Sequence, residues 1–217
     1  MKISEMRDEI IDICRILSEK GYIAATDGNI SLRLPDNRVM ITPSGINKRF
    51  VKKNQLIITD MNGNIVEGES KPSSEIQMHL KIYELRPEIN AVLHAHPPYC
   101  IAFSIAGVKL EKPLLPEVVL TLGKIPTAKY ATPTTIDVSI AIEETIKDYD
   151  AIILERHGTV TIGKNIYKAY DYLEKIEHTA LITYLAMQMG KPVELPAAEI
   201  KKLKILALTL GLKEPKV

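Results

Sequence analysis

The stretch "NAVLHAHPPYCIAF", residues 90 to 103, decides how the rest of the chain is read. Residues 90 to 96 form a short apolar run that reads as a buried strand, and two histidines, His94 and His96, close it. In a strand, alternate side chains share a face, so the two imidazoles point the same way. His-x-His held like that is a ready bidentate clamp for a metal ion. The competing reading is one structural histidine and one exposed one, and the pair alone does not decide between them.

On the N-terminal side, residues 4 to 20 read as an amphipathic helix, with Ile10, Ile11, Cys14, Ile16 and Leu17 at helical spacing and Gly21 as a stop. "NISLRLPDNRVMIT" alternates, breaks at Pro35-Asp36-Asn37 and alternates again, a hairpin pattern. "QLIITDMNGNIVEG" repeats that logic around Asn62-Gly63, the strongest short hairpin signal. Residues 73 to 86 read as helical. On the C-terminal side, 98 to 106 reads as a short helix, 107 to 135 as irregular and rich in Pro and Gly, and 136 to 147 as a helix. "AIILERHGTVTIGKN" reads as two short strands around a His157-Gly158 turn. A long helix spans 166 to 189, ended by Gly190 and Pro192, and a last one spans 197 to 210. Helices and hairpins alternate without a regular strand-helix-strand rhythm. The expected fold is α/β: a three-layer αβα sandwich with a mixed, largely antiparallel central sheet, one domain over 1–217. No Gly-x-Gly-x-x-Gly follows a strand, so a dinucleotide-binding unit is not supported.

Composition narrows the function. The chain has 217 residues, 46% hydrophobic and 25% charged, as in ordinary soluble globular proteins. A formal net charge of +1 argues against a nucleic-acid footprint. The basic clusters Lys48-Arg49 and Lys52-Lys53 read as solvated surface. Cys14 and Cys100 read as small buried hydrophobes, not a disulfide. The N-terminal stretch is charged where a signal peptide would be apolar, and no apolar run approaches the ~20 residues a bilayer needs. The expectation is a cytoplasmic protein with no membrane partner.

Of five histidines, His157 lies at the end of a second apolar run. If the two strand ends converge, His94, His96 and His157 make three imidazoles with an open fourth position, the pattern of a catalytic zinc site. His79 and His178 fall inside helices and are expected to be structural or surface residues. In "KPSSEIQMHL", Pro72-Ser73-Ser74 reads as a helix start, and Ser74 with Gln77 fits a capping box. Glu75 is then either a first-turn carboxylate suited to the helix dipole or, if the two hydroxyls and free N–H groups hold an anion, a group facing whatever that anion tethers. "ATDGNIS", with Thr26, Gly28 and Asn29, and "TPSG", with Thr42, Ser44 and Gly45, are plain turns or further anion cradles. Taken together they suit a phosphorylated small molecule, gripped at its phosphate by amides and hydroxyls and polarised by a metal several atoms away.

"TDGNIS", "ITPSG", "KPSSE", "HAHP" and "RHG", in this order, resemble the class II aldolase/adducin family. The likeness runs from about Gly21 to about Gly190. It implies an αβα fold, a homotetramer with sites at subunit interfaces, and one Zn²⁺ per subunit. By motif match, His94, His96 and His157 would be the zinc ligands. Glu75 falls on the catalytic carboxylate, which can also approach the metal. Asn29, Ser44, Gly45, Ser73 and Ser74, with Thr26 beside them, fall on phosphate-binding positions. The implied activity is reversible cleavage of a ketose 1-phosphate, such as L-fuculose 1-phosphate, to dihydroxyacetone phosphate and an aldehyde such as lactaldehyde. It would run through a zinc-stabilised enediolate with Glu75 as base.

The chain also departs from that pattern. The family's fuculose-phosphate enzymes carry a tyrosine in the middle loop, where this chain has "LLPEVVLTLGKIP". Related 5-methylthioribulose-1-phosphate dehydratases place a glutamate at a similar distance after His-x-His, which makes Glu117 a second candidate acid. The opposing reading of Glu117 is a solvent-facing loop carboxylate. Three other functions compete. A dehydratase or a ribulose-5-phosphate 4-epimerase would use the same scaffold, although the epimerases carry aspartate where "SSE" has glutamate. A non-catalytic adducin-head module would tend to lose the histidines present here. A His-x-His hydrolase would need a (β/α)₈ barrel, and neither length nor pattern fits one.

Overall fold

The computed structural model describes residues 2–217. Helix α1 (Ile3–Glu19) buries Met6, Ile10, Ile13, Cys14 and Leu17, one stripe at helical spacing. Hairpin β1 (Asn29–Arg33) to β2 (Val39–Ile41) and hairpin β3 (Ile57–Thr59) to β4 (Ile65–Glu67) follow. After them come α2 (Ile76–Leu85), β5 (Ala91–Ala95), α3 (Pro98–Ile105), α4 (Pro116–Thr121), β6 (Thr127–Ala128) and α5 (Ile136–Ile146). The hairpin β7 (Ala151–Leu154) to β8 (Gly158–Gly163), then α6 (Ile166–Met189) and α7 (Ala197–Thr209), complete the order.

All eight strands join one sheet in the order β4-β3-β2-β1-β5-β8-β7-β6. Every pairing is antiparallel except β6 with β7, whose strands are separated by the crossover helix α5. Strand β5 sits between β1 and β8, with Asn29 opposite His94 on one side and Val160 opposite His94 on the other.

The sheet is covered on both faces. Ile30, Leu32, Met40, Leu93 and Ile153 pack into one core with residues of α1, α3 and α6. Val39, Ile41, Val92, Ile152 and Val160 pack into a second core with residues of α2 and α5. The expected three-layer αβα sandwich with a largely antiparallel sheet is therefore the observed one. Strand alternation carries it, because neighbouring residues of one strand enter opposite cores. Each fully buried Leu or Ile in these cores stabilises the fold by about 2 kcal/mol in transfer free energy. Arg86, at the end of α2, locks the second layer to the sheet. Its guanidinium donates to the Ile146 carbonyl at 2.8 Å and to the carboxylates of Glu88 at 2.5 Å and Asp150 at 2.7 Å.

Cys14 and Cys100 are both buried and unbridged, as expected. Among the described residues no helix is long and apolar enough to cross a membrane. Three expectations need correcting. The segment read as irregular, 107 to 135, holds α4 and β6; a six-residue helix and a two-residue strand are too short to show a period. The capping box does not form: α2 begins at Ile76, Glu75 stands at its N-cap, and no side chain caps it. Lys48, read as solvated surface, is 3% exposed.

Candidate metal centre and phosphate cleft

Four segments meet at one edge of the sheet: the start of β1, the end of β5, the β7–β8 turn and the start of α2. In β5, Val92 enters the α2/α5 core, and by alternation His94 faces the same way. His157 arrives from the turn, where Arg156 takes a left-handed φ of 58° and its N–H donates to the Ser104 hydroxyl at 2.9 Å. Gly158 lets the two strand ends close. A Cβ there would stand 2.5 Å from the Ala95 carbonyl oxygen, 2.8 Å from His96 Cδ2 and 3.0 Å from His94 Cε1. Gly28, at φ +69°, does the same for the preceding loop, since a Cβ would meet Ile23 at 2.5 Å and the His94 carbonyl oxygen at 3.0 Å.

The convergence on which a metal site depends is present. One ligand atom from each of His94, His96 and His157 lies within 4.8 Å of the others. The Nε2 atoms of His94 and His96 are 3.0 Å apart. Glu75 completes the group, with Oε2 3.2 Å from His94 Nε2 and Oε1 3.4 Å from His157 Nε2. The Thr159 carbonyl lies 3.0 Å from His94 Nδ1 and can only accept, so Nδ1 carries the proton and Nε2 turns its lone pair inward. Burial pushes His94 well below the ordinary imidazole range, and the neighbouring His96 and His157 push it further. Burial also lowers His96 and His157, against which Glu75 acts to raise His157. Three neutral imidazoles and a carboxylate aimed at one point are what a divalent cation requires. Glu75 Oε1 is buried with no hydrogen-bond partner, an orphaned acceptor that a cation would satisfy. The residues present therefore fit a metal ion.

Beside this group opens a cleft of about 390 Å³. Thr26, Asn29, Ser44, Gly45, Ser73 and Ser74 all line it, together with Glu75, His96 and His157. Backbone pairing explains why these turns meet. Pro43 bridges Pro72, the Ser73 N–H donates to the Thr42 carbonyl at 3.1 Å, and the Ser44 N–H donates to the Lys71 carbonyl at 3.0 Å. That pairing holds 71–73 extended, which is why the helix starts only after Glu75. The Ser73 hydroxyl then accepts from the Glu75 N–H at 3.3 Å. Asn29 turns its side-chain amide to Glu75, donating from Nδ2 to Oε2 at 2.8 Å.

Glu117 is not brought to this group. It lies on α4 and lines a different cleft of about 490 Å³, with Lys20, Tyr99, Lys175 and His178. Five further residues of this cleft did not stand out in the sequence: Asp27, Pro43, Lys48, Pro133 and Thr134. Lys48 is the notable one. Its ammonium donates to the carbonyls of Thr26 at 2.7 Å and Ile46 at 2.9 Å, and among the described residues no carboxylate lies within ion-pair distance. A basic pair in a polar loop gave no hint of that burial.

The chain matches the family model described as "Class II Aldolase and Adducin N-terminal domain" over residues 8–184. It is 41% identical to an L-fuculose phosphate aldolase of Methanococcus maripaludis over 177 residues, covering 82% of this chain and 95% of the relative. It is 31% identical to a 3-oxo-tetronate 4-phosphate decarboxylase of Haemophilus influenzae, covering 91% of this chain and 95% of the relative. Among solved structures, an L-fuculose 1-phosphate aldolase superposes with a TM-score of 0.87 at 31% identity, covering 96% of this chain and 97% of that one.

Proposed function

Because the chain belongs to the class II aldolase and adducin family, we propose that it is a metal-dependent aldehyde-lyase acting on a ketose 1-phosphate. L-fuculose 1-phosphate or a close analogue would be cleaved to dihydroxyacetone phosphate and an aldehyde such as lactaldehyde. One observation carries this reading: a carboxylate beside three imidazoles, at one end of a cleft whose other end is built from hydroxyl-bearing turns. His94, His96 and His157, with Glu75 beside them, would hold the ion, and three imidazoles favour zinc. Such an ion supplies Lewis acidity next to the scissile bond.

The chain's own residues supply the rest. Ser44, Gly45, Ser73 and Ser74 hold the phosphate, with Thr26 and Asn29 at its rim. In the condensation direction Glu75 takes a proton from the hydroxymethyl carbon of dihydroxyacetone phosphate, and in cleavage it returns that proton. The closed strand ends keep water from the carboxylate's inner edge. Glu117, far from this cleft in its own chain, would act as an acid only across the subunit contacts of the homotetramer that the family implies.

Lys48 gives the phosphate end a positive charge that the serines and glycine do not. Burial pulls its ammonium below the ordinary lysine range, and a bound phosphate would offset that. Replacing Lys48 by Met should raise KM about 30-fold, corresponding to about 2 kcal/mol for a hydrogen bond to a charged group, with kcat and metal content little changed. Steady-state kinetics beside metal quantification would check it, and an unchanged KM would remove Lys48 from the phosphate site.

The reading as a whole is tested by quantifying metal in the purified protein and supplying L-fuculose 1-phosphate with and without a chelator. Release of dihydroxyacetone phosphate that the chelator abolishes is the expected result. A product keeping all carbons would point to an epimerase or dehydratase. Release of carbon dioxide from a 3-oxo-tetronate phosphate would point to the decarboxylase chemistry of the H. influenzae relative.

A further inference from the structure

A row of buried polar side chains runs away from Glu75 between the sheet and α2. Tyr83, Ser31, His79 and Asn29 are all buried, and each touches the next. The Tyr83 and Ser31 hydroxyls are 2.8 Å apart, Ser31 Oγ and His79 Nδ1 2.7 Å, and His79 Nε2 and Asn29 Oδ1 2.5 Å. The last link, from Asn29 Nδ2 to Glu75 Oε2, is 2.8 Å.

An ionised carboxylate only accepts, and this fixes the direction of every link. Asn29 must turn its NH₂ to Glu75, so its oxygen faces His79. His79 Nε2 must then carry the ring proton, which leaves Nδ1 bare. Ser31 must donate to that nitrogen, and Tyr83 can donate to Ser31. Burial pushes His79 down to about 3, so the ring is neutral across the working pH range, as the chain of donors requires.

We propose that His79 is a positioning residue for Glu75: a neutral imidazole that, through Asn29, anchors Oε2 and leaves Oε1 as the free oxygen. The observed asymmetry of the carboxylate fits this. Oε2 has the Asn29 amide, whereas Oε1 is buried without a hydrogen-bond partner and faces His157. A carboxylate clamped at one oxygen cannot rotate away from the reacting carbon, and a proton transfer needs that fixed geometry. His79 was expected to be merely structural or at the surface. Its burial beside Ser31 and Asn29 gives it this role, which rests on the reading of Glu75 as the group that moves the proton.

Two measurements test the proposal. The first needs no turnover. Nitrogen-15 spectra of the imidazoles in the wild-type protein should show His79 as the Nε2–H tautomer, not titrating between about pH 5 and 9. An Nδ1–H tautomer would overturn the direction of the chain. The second compares His79→Leu, His79→Gln and Ser31→Ala in the wild-type and Glu75→Gln backgrounds. His79→Leu should lower kcat about 30-fold with KM within threefold and metal content unchanged. His79→Gln, which keeps a donor and an acceptor, should recover most of that loss. In the Glu75→Gln background His79→Leu should cost less than threefold. Equal losses in both backgrounds would reduce His79 to a packing role. If His79→Leu does not fold, Ser31→Ala should still lower kcat about fivefold, and an unchanged kcat would overturn the proposal. Near-normal turnover of Glu75→Gln itself would instead sink the assignment of Glu75, whatever the tautomer of His79.

Discussion

Replacing Glu75 by glutamine is expected to lower turnover about 10³-fold while the protein keeps its fold and its metal. The substitution is nearly isosteric, and the new side chain can place its carbonyl oxygen where Oε2 stands and still accept from Asn29 Nδ2, so that buried contact survives. The three imidazoles are untouched. What disappears is the buried carboxylate oxygen that faces His157 with an unused lone pair, Glu75 Oε1. An amide cannot take a proton from carbon at neutral pH, so the loss should appear in kcat with KM within a few-fold. Turnover, metal content and the melting temperature, measured on one preparation, check this. Near-normal turnover would remove Glu75 from the chemistry and leave it as a metal ligand only.

The second large effect is expected from His157→Ala. Loss of one of three imidazoles should weaken metal binding at least 100-fold, since even residues that only orient a ligand contribute 10- to 100-fold. Activity should fall below detection at ordinary metal concentrations. His157 is a better choice than His94, which is fully buried in the sheet and would leave a cavity. The control is thermal. A chelator should lower the melting temperature of the wild-type protein, by the equivalent of about 3 kcal/mol if metal was present at a hundred times its dissociation constant. The same chelator should leave the melting temperature of His157→Ala unmoved. A wild-type protein indifferent to chelation would sink the metal centre.

The parts of this molecule that sequence made legible share a cause. Strands β1, β2, β5, β7 and β8 alternate or run apolar over several residues, and α1 and α6 keep a helical stripe over many turns, so each carries its own period. The three-histidine cluster was legible because His-x-His closes one apolar run and His157 ends a second. The missed features lack any local signature. Whether α2 starts at Ser74 or Ile76 is settled by the pairing of Pro43 with Pro72, residues far apart in the chain. The burial of Lys48 is settled by where the Thr26 loop comes to rest. His79 looks like any helix histidine until Ser31 and Asn29 are brought against it from β1. Glu117 lies apart from the cleft of its own chain because its distance along the chain from His-x-His says nothing about which side of the molecule α4 occupies.

The place of β5 in the sheet also bears on the order in which the molecule can be assembled. Its neighbours are β1 and β8, and neither is joined to it by a short turn. The hairpins β1–β2, β3–β4 and β7–β8 need only local closure and can form quickly. Once β2 pairs with β3 and β6 with β7, they leave two part-sheets, β4-β3-β2-β1 and β8-β7-β6, each with an inner edge of unpaired backbone N–H and C=O groups. Strand β5 is the keystone that joins them, and it carries two of the three imidazoles. Nascent or refolding chains are therefore most exposed to mispairing before β5 docks, when the edges of β1 and β8 are open. The three histidines can meet only when β5 has docked between β1 and β8, so binding of a divalent ion would report that the two part-sheets have joined.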